Sequence, residues 1–299
     1  MRIVVAGGTG FIGREVVKRL LDRGGDEVVV TTRDPSQSRA WPRSVEQVQA
    51  FAGDRLTLGK AFTRADVVVN CIQFPNHPVE DRSKGRTYME VDGHGTTVAV
   101  EAAKRVGVRR FVYLSGAGAG QGRPQPWFRA KEMAEAAIRA SGLEHGVLRP
   151  SWIYGPGDHS MNRFVAFART LPVVPVIGNG KTPVFPIHVD DVARQVVELV
   201  HRPEAKDTVL DTGGERKTMD EVIHAIQSAL GRRRPLVHHP VALMKLLVLP
   251  MALLPNPILS PGAVEFIAQE VEIDPRAAND YFGFAPRSLA EGLKEYVRR

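Results

Sequence analysis

Three glycines set the first chemical expectation. Gly7, Gly10 and Gly13 recur at three-residue spacing in VVAGGTGFIGRE, directly after a β-branched run and at the opening of an amphipathic stretch. Gly7 permits a sharp turn, Gly10 lets backbone approach a pyrophosphate, and Gly13 lets the next helix pack close to the strand. A helix N-terminus offers unpaired N–H groups and the positive end of its dipole, so Phe11 and Ile12 join the same cradle. A dinucleotide cofactor is expected. The run EVVVTTRDPSQSR then supplies Thr31, Thr32, Arg33 and Arg39 where a site selective for the unphosphorylated cofactor carries an acid. An arginine fork suits a 2′-phosphate, so NADP is expected ahead of NAD. Asp34 beside Arg33 leaves open a neutralised surface residue instead.

Other residues follow by position. Asp54 and Leu56 in FAGDRLT fall at the end of the third expected strand, where an adenine ring could be held. Cys71 and Ile72 in NCIQFP end the fourth and should border the cofactor, with Gln73 toward a substrate. Cys71 has no obvious base partner and reads as core. The stretch QPWFRAKEMAEAAI reads as a helix carrying Lys131, with Trp127 one turn before it. An indole N–H donates a hydrogen bond but does not titrate in a useful range, so Trp127 cannot be a proton donor. Tyr154 in RPSWIYGPGD is a weak candidate for that proton, with packing as its first expectation, and Pro150 and Ile153 flank it beside the cofactor. Tyr88 is a further phenol, and Tyr113 alternates into a sheet face as core. His188 in FPIHVDDVA is placed on the substrate side, with Asp190 and Asp191 as helix caps.

These residues need a frame. RIVVAG, EVVVTTR, VEQVQAFAGD, DVVVNCI, RRFVYLSG and EHGVLRPSWIYG read as strands, with helices between them. That alternation implies an α/β, doubly wound parallel sheet of the Rossmann type with right-handed crossovers. Residues 1–155 form the expected dinucleotide-binding core. Residues 156–299, where prolines are dense, form a smaller mixed cap with some segments returning to the core. In TMDEVIHAIQSALG, Thr218 and Glu221 have the spacing of a capping box.

Composition excludes several classes. The 299 residues are 43% hydrophobic and 24% charged, which is ordinary for a globular chain with a substantial core. The net charge of +7 raises nucleic acid as a partner, but the basic residues are mostly interspersed with acids. The one tight run, GRRRP, lacks interleaved aromatics, so no nucleic acid is expected. A phosphorylated cofactor could account for part of the positive balance. One cysteine excludes an intramolecular disulfide, and no histidine pair has metal-ligand spacing with a matching acid, so no metal is expected. MRIVVAGG shows no signal segment, which makes the cytoplasm the expected location. The apolar segment 241–255 is interrupted by Lys245 and Pro250 and is too short to span a bilayer. It reads first as a buried helix or a pocket wall, and second as a peripheral membrane or protein contact.

GGTGFIG, VDGHGTTVAVEAAKRVGVRRFVYLSG, AKEMAEAAIRASGLEHGVLRPSWIYGPGD and FPIHVDDVA together resemble the extended and atypical short-chain dehydrogenase/reductases, of the epimerase/dehydratase type. The segment MNRFVAFARTLPVVPVIGNGKTPVFPIHVDDVA is similar to the branch containing the NAD(P)H-binding accessory subunit of respiratory complex I and its bacterial relatives. In active members, the resemblance implies, a serine polarises the carbonyl. A tyrosine handles the proton, and a lysine one turn later binds the nicotinamide ribose and lowers the tyrosine pKa. Carried over by position, Ser115 matches the serine, Lys131 the lysine, and Trp127 stands where the tyrosine belongs.

Two readings follow. One is an NADP-dependent oxidoreductase on a small apolar carbonyl, imine or alkene, its proton coming from Lys131, water or the substrate. The other is a non-catalytic NADP(H)-binding sensor, assembly factor or structural subunit, with no small-molecule substrate. Redox-neutral chemistry on a nucleotide sugar is a weaker third, since it also needs the missing tyrosine.

Overall fold

The computed structural model describes residues 1–35, 41–253, 257 and 259–297. Its first half alternates strands and helices: β1 (Arg2–Ala6), α1 (Phe11–Arg23), β2 (Glu27–Thr32), β3 (Glu46–Gln49), α2 (Arg55–Phe62), β4 (Val67–Asn70), α3 (Gly95–Arg105), β5 (Arg110–Leu114), α4 (Pro126–Ala140) and β6 (Glu144–Pro150). A π-helical turn, Tyr88–His94, leads into α3. The run expected as one strand through Tyr154 breaks at Ser151, and its end forms a separate short strand, β7 (Ile153–Tyr154).

The second half contributes α5 (Met161–Thr170), β8 (Val174–Ile177), β9 (Pro183–Val184), β10 (Ile187–His188), α6 (Val189–His201), β11 (Thr208–Thr212) and β12 (Lys217–Thr218). It continues through α7 (Met219–Leu230), β13 (Leu236–His239), α8 (Val241–Leu247), α9 (Pro261–Ala268), α10 (Arg276–Phe282) and α11 (Leu289–Tyr296).

The central sheet has seven strands in the order β11-β6-β5-β4-β1-β2-β3, all parallel. Strands β4 and β5 are buried along their whole length, because helices cover both faces. Val5, Val16, Leu20 and Val196 fill the layer toward α1 and α6, and Val4, Phe62, Val100 and Ile138 fill the layer toward α2, α3 and α4. Each such fully buried side chain contributes roughly 1.5–3 kcal/mol of hydrophobic stabilisation. The chain changes winding direction at β1, which lies between β2 and β4, and ligands of such sheets bind at that crevice.

A third core joins Tyr154, Met161, Ile223 and Leu293 beneath α5, α7 and α11. Thr218 and Glu221 form the capping box of α7 as the spacing implies. The two halves interlock: β11 pairs with β6, and Arg110 of β5 is buried against the carbonyls of Leu199, Val200 and Arg202 at the end of α6. At the other end of α6, Asp190 receives Arg19 of α1 at 2.6 Å and Arg287 at 2.6 Å, while Arg287 also holds Asp191. These acids therefore serve as ion-pair partners, and the cap of α6 is His188, whose Nδ1 accepts from the Asp190 N–H.

Candidate functional site

The glycine turn has the geometry of a phosphate cradle. Gly7 adopts φ +78°, and a Cβ there would meet the Cys71 carbonyl at 3.0 Å. At Gly13 a Cβ would strike the Gly7 carbonyl, so any larger residue would push α1 off β1. Gly10 occupies the N-cap of α1 with no side-chain cap, which leaves the amides of the first turn, through Phe11, Ile12 and Gly13, without intrahelical acceptors. Thr31 accepts the Gly7 N–H at 3.2 Å and fixes the loop against β2. These residues fit a dinucleotide pyrophosphate. Cys71 and Ile72, both half-buried, line the neighbouring β4 end, and burial pushes the Cys71 thiol up to about 12.

At the end of β2, Thr32 is nearly buried and its hydroxyl bonds the backbone of Asp34, while Arg33 is exposed. Arg39 lies outside the described residues. Asp54 has a different role from the one expected. Asp54 caps α2, accepting from Leu56 N–H at 2.9 Å and Thr57 N–H at 3.3 Å, and those bonds hold its carboxyl below the usual range. Leu56, in the first turn of α2, is 83% exposed. Asp-x-x before a helix serves as a cap more readily than as a ligand.

Helix α4 brings three residues to one face at four-residue spacing: Trp127, Lys131 and Glu135. Lys131 is buried, not the exposed helical lysine that its surroundings in sequence would allow. Its Nζ donates to Asp92 Oδ1 at 2.9 Å and to the Leu114 carbonyl at 3.3 Å, and stands 4.9 Å from the Trp127 ring centroid. Burial opposes its charge, but Tyr113 and Asp92 outweigh that and hold the ammonium above the ordinary lysine value. Burial pushes the Asp92 carboxyl up, against the pull of Lys131. Asp92 Oδ2 is buried without a partner among the described residues.

Ser115 donates to Glu135 Oε1 at 2.6 Å. Burial alone would raise the Glu135 carboxyl, but Arg149, at 2.6 and 2.8 Å, and Ser115 hold it low. The serine hydrogen is therefore committed to a carboxylate. Its oxygen lone pairs accept rather than donate, which removes it as a ready polariser of a carbonyl. The spacing of Glu135 from Lys131 could have disclosed it; Asp92, thirty-nine residues before Lys131, gave no such signal.

Trp127 is half-buried in an aromatic box with His77, Tyr88 and Phe266, at centroid distances of 5.4, 5.4 and 5.3 Å. Gly116 makes room for it, since a Cβ there would strike the indole ring. Tyr88 Oη lies 3.3 Å from His77 Nε2. Burial, reinforced by Lys131, pushes the His77 imidazole down to about 3, so it is neutral at physiological pH. Phe266 comes from α9, so the cap closes this box over the core. Neither His77 nor Phe266 was legible from local spacing.

Other expected residues lie apart from the box. Tyr154 is fully buried in the third core, 5.3 Å from His188 in ring contact, and its hydroxyl faces Gly292 with no hydrogen-bond partner among the described residues. It is packing, not a proton donor. His188 is likewise removed from the substrate side, being an internal helix cap whose Nε2 lies 3.9 Å from Glu295. Pro150 is buried and its carbonyl accepts from Ala117, Ile153 packs against the first core, and Gln73 is exposed. Beside α9, a cleft of about 460 Å³ is lined in part by Pro240, Val241, Ala268 and His238, and the His238 ring is held by Asp220 at 2.9 Å.

A family described as NAD(P)H-binding matches residues 7–203. The chain is 28% identical over 242 residues to the ceramide reductase of Caulobacter vibrioides, covering 80% of this chain and 73% of that one. It is 28% identical over 203 residues to NADH dehydrogenase [ubiquinone] 1 alpha subcomplex subunit 9 of Arabidopsis thaliana, covering 64% of this chain and 48% of the plant subunit. In structure it is similar to the UDP-glucose 4-epimerase of Thermus thermophilus in complex with NAD. That match has a TM-score of 0.75 at 23% identity and covers 99% of this chain and 98% of the epimerase, which establishes a shared fold.

Proposed function

Since the chain belongs to the NAD(P)H-binding family, we propose that it is an NADP(H)-dependent oxidoreductase that reduces a small apolar carbonyl, imine or alkene without the usual tyrosine. The observation that carries this reading is the box of His77, Tyr88, Trp127 and Phe266 closed over Lys131. Apolar aromatic walls with a few polar groups among them are what a small apolar substrate requires. The relative named ceramide reductase supports a reductive direction.

When bound, the nicotinamide supplies a hydride to the electrophilic carbon. The chain's own part is to hold the pyrophosphate at Gly7, Gly10 and Gly13 and to exclude water with its aromatic rings. Lys131 sets a positive charge near the heteroatom that becomes anionic. The balancing proton comes from water or the substrate, because the Trp127 indole has none to give at working pH and Lys131 holds its proton more tightly than an ordinary lysine. Arg33, exposed at the end of β2, is the residue assigned to a 2′-phosphate.

A second reading rests on the Lys131–Asp92 pair. A lysine already neutralised by a buried carboxylate is poorly placed to do chemistry, and this favours a non-catalytic NADP(H)-binding subunit or sensor. The two are separated by titrating NADPH and then following its oxidation with a panel of aliphatic aldehydes, ketones, cyclic imines and enones. Saturable binding with turnover on at least one apolar compound is expected. Saturable binding without turnover across the panel selects the second reading, and absence of binding overturns both.

A further inference from the structure

We propose that the α8 face of the cap docks on an anionic lipid surface, lying on it without crossing it. This goes beyond the proposed reaction and does not depend on it. Helix α8 has no buried residue; Leu243, Leu246 and Leu247 are 44%, 63% and 57% exposed, and Leu249 just after the helix is 52% exposed. Val237 of β13, and Leu171 and Val173 before β8, are also more than a third open, and β13 pairs with β8. Single exposed leucines are ordinary, whereas a run of them gathered on one short helix marks an interaction surface.

The charge around this face selects the partner. No aspartate or glutamate occurs between Glu221 and Glu265, while Arg232, Arg233, Arg234 and Lys245 all fall in that interval. Lys245 pairs with Glu265 across to α9 at 2.9 Å, and Asp220 is taken by His238. Arg232 and Arg233 are exposed, and Arg232 reaches the carbonyl of Arg169 at the end of α5. The arginines stand at one end of β13 and α8 at the other, about 13 Å apart at the usual rise of a strand. Leu171 and Val173 lie beside the arginine end, since Val174 N–H bonds the Pro235 carbonyl. Exposed apolar and basic groups thus lie within one strand length of each other, close enough to meet one flat surface.

A second copy of the chain is the competing occupant, but a two-fold contact along this face would set the arginine run of each copy against the apolar α8 of the other, where residues 222–264 supply no acid to meet it. Anionic headgroups instead complement it, and apolar insertion plus basic attraction is how a peripheral protein binds a bilayer. No helix among the described residues is long and apolar enough to cross a membrane.

The test is flotation with vesicles of phosphatidylcholine alone, or of phosphatidylcholine mixed with phosphatidylglycerol, using the intact chain. Binding to the mixed vesicles, released by high salt, is expected. Leu246→Glu with Leu247→Glu should abolish it. Arg232→Gln with Arg233→Gln should weaken it roughly twenty-fivefold, at about fivefold per basic residue. All these side chains are exposed, so unchanged thermal melting will verify folding of each variant. Absence of binding to the mixed vesicles overturns the proposal. So does binding to phosphatidylcholine alone that the arginine variants leave intact. A change of oligomeric state by light scattering in the leucine variant, without vesicle binding by the parent, assigns the face to a second copy and also overturns it.

Discussion

Removing the carboxylate beside Lys131 probes the centre of the site without any cofactor or substrate. The two charges are 2.9 Å apart, and the side chains of Lys131 and Asp92 are 3% and 0% exposed. At an effective dielectric of about 20 their attraction is about 5–6 kcal/mol. Desolvation of each ion costs several kcal/mol, so the intact pair contributes little net stability. Breaking it from one side differs, because the survivor keeps the desolvation cost. Asp92→Asn leaves a buried ammonium facing an amide oxygen and should lose about 3 kcal/mol, toward the lower part of the range for orphaned buried charges. Lys131→Met should cost less, roughly 1–2 kcal/mol, because burial already pushes Asp92 up and the freed carboxyl can take a proton. The double variant should lose clearly less than the sum, with a coupling of about 1.5 kcal/mol or more. Urea unfolding of the four proteins at neutral pH measures each term. Additivity within about 0.5 kcal/mol, or an Asp92→Asn variant as stable as its parent, would refute the reasoning.

Three further outcomes follow from the same geometry. Gly116→Ala should destabilise by about 1–3 kcal/mol through overpacking against the indole, and Trp127→Phe in the same chain should restore most of the loss in a thermal melt. Equal tolerance of alanine in both backgrounds would place the indole elsewhere. Arg33→Glu should weaken NADPH binding by about tenfold or more while sparing or improving NADH, since it exchanges a phosphate partner for a ribose hydroxyl partner; fluorescence titrations with both dinucleotides measure this, and an equal loss for the two removes Arg33 from the 2′-phosphate. In acid, Asp190 should contribute to unfolding. Burial would raise its carboxyl, but Arg19 and Arg287 bring it from 3.8 down to about 2. A depressed carboxyl stabilises fully above its unfolded value and loses that contribution as pH falls toward the folded one. Asp190→Asn should therefore flatten the pH dependence of stability between 3.8 and about 2, and an unchanged slope would show the ion pairs to be absent in solution.

Legibility follows the range of the interactions. The glycine turn, the capping box at Thr218 and Glu221, and the strand–helix alternation are readable because each is encoded within a few residues of itself. Asp54 misleads because an acid after a strand can cap a helix or hold a ligand, and the choice depends on whether a helix starts there. His188 resembles a substrate-side residue in sequence, and only the fold brings α11 over it. His77 and Asp92 come from the connection between β4 and α3 and Phe266 from α9, all far from α4 in the chain, and only the folded sheet and cap bring them to Lys131 and Trp127. The substitution at Trp127 is visible in the sequence. What fills the space around it is not, because neither composition nor periodicity says which loop will close over a given helix.

Strand β11 has a consequence for how the chain is made. Its partner β6 ends at Pro150, yet β11 is reached only after the segment through α6 has intervened. As the chain leaves the ribosome, the edge of β6 therefore has no neighbour until Thr212 has emerged. An unpaired parallel edge is a template for wrong pairing. The stretch of synthesis between these two strands is thus when the nascent chain most needs shielding, even though the finished sheet carries no trace of the delay.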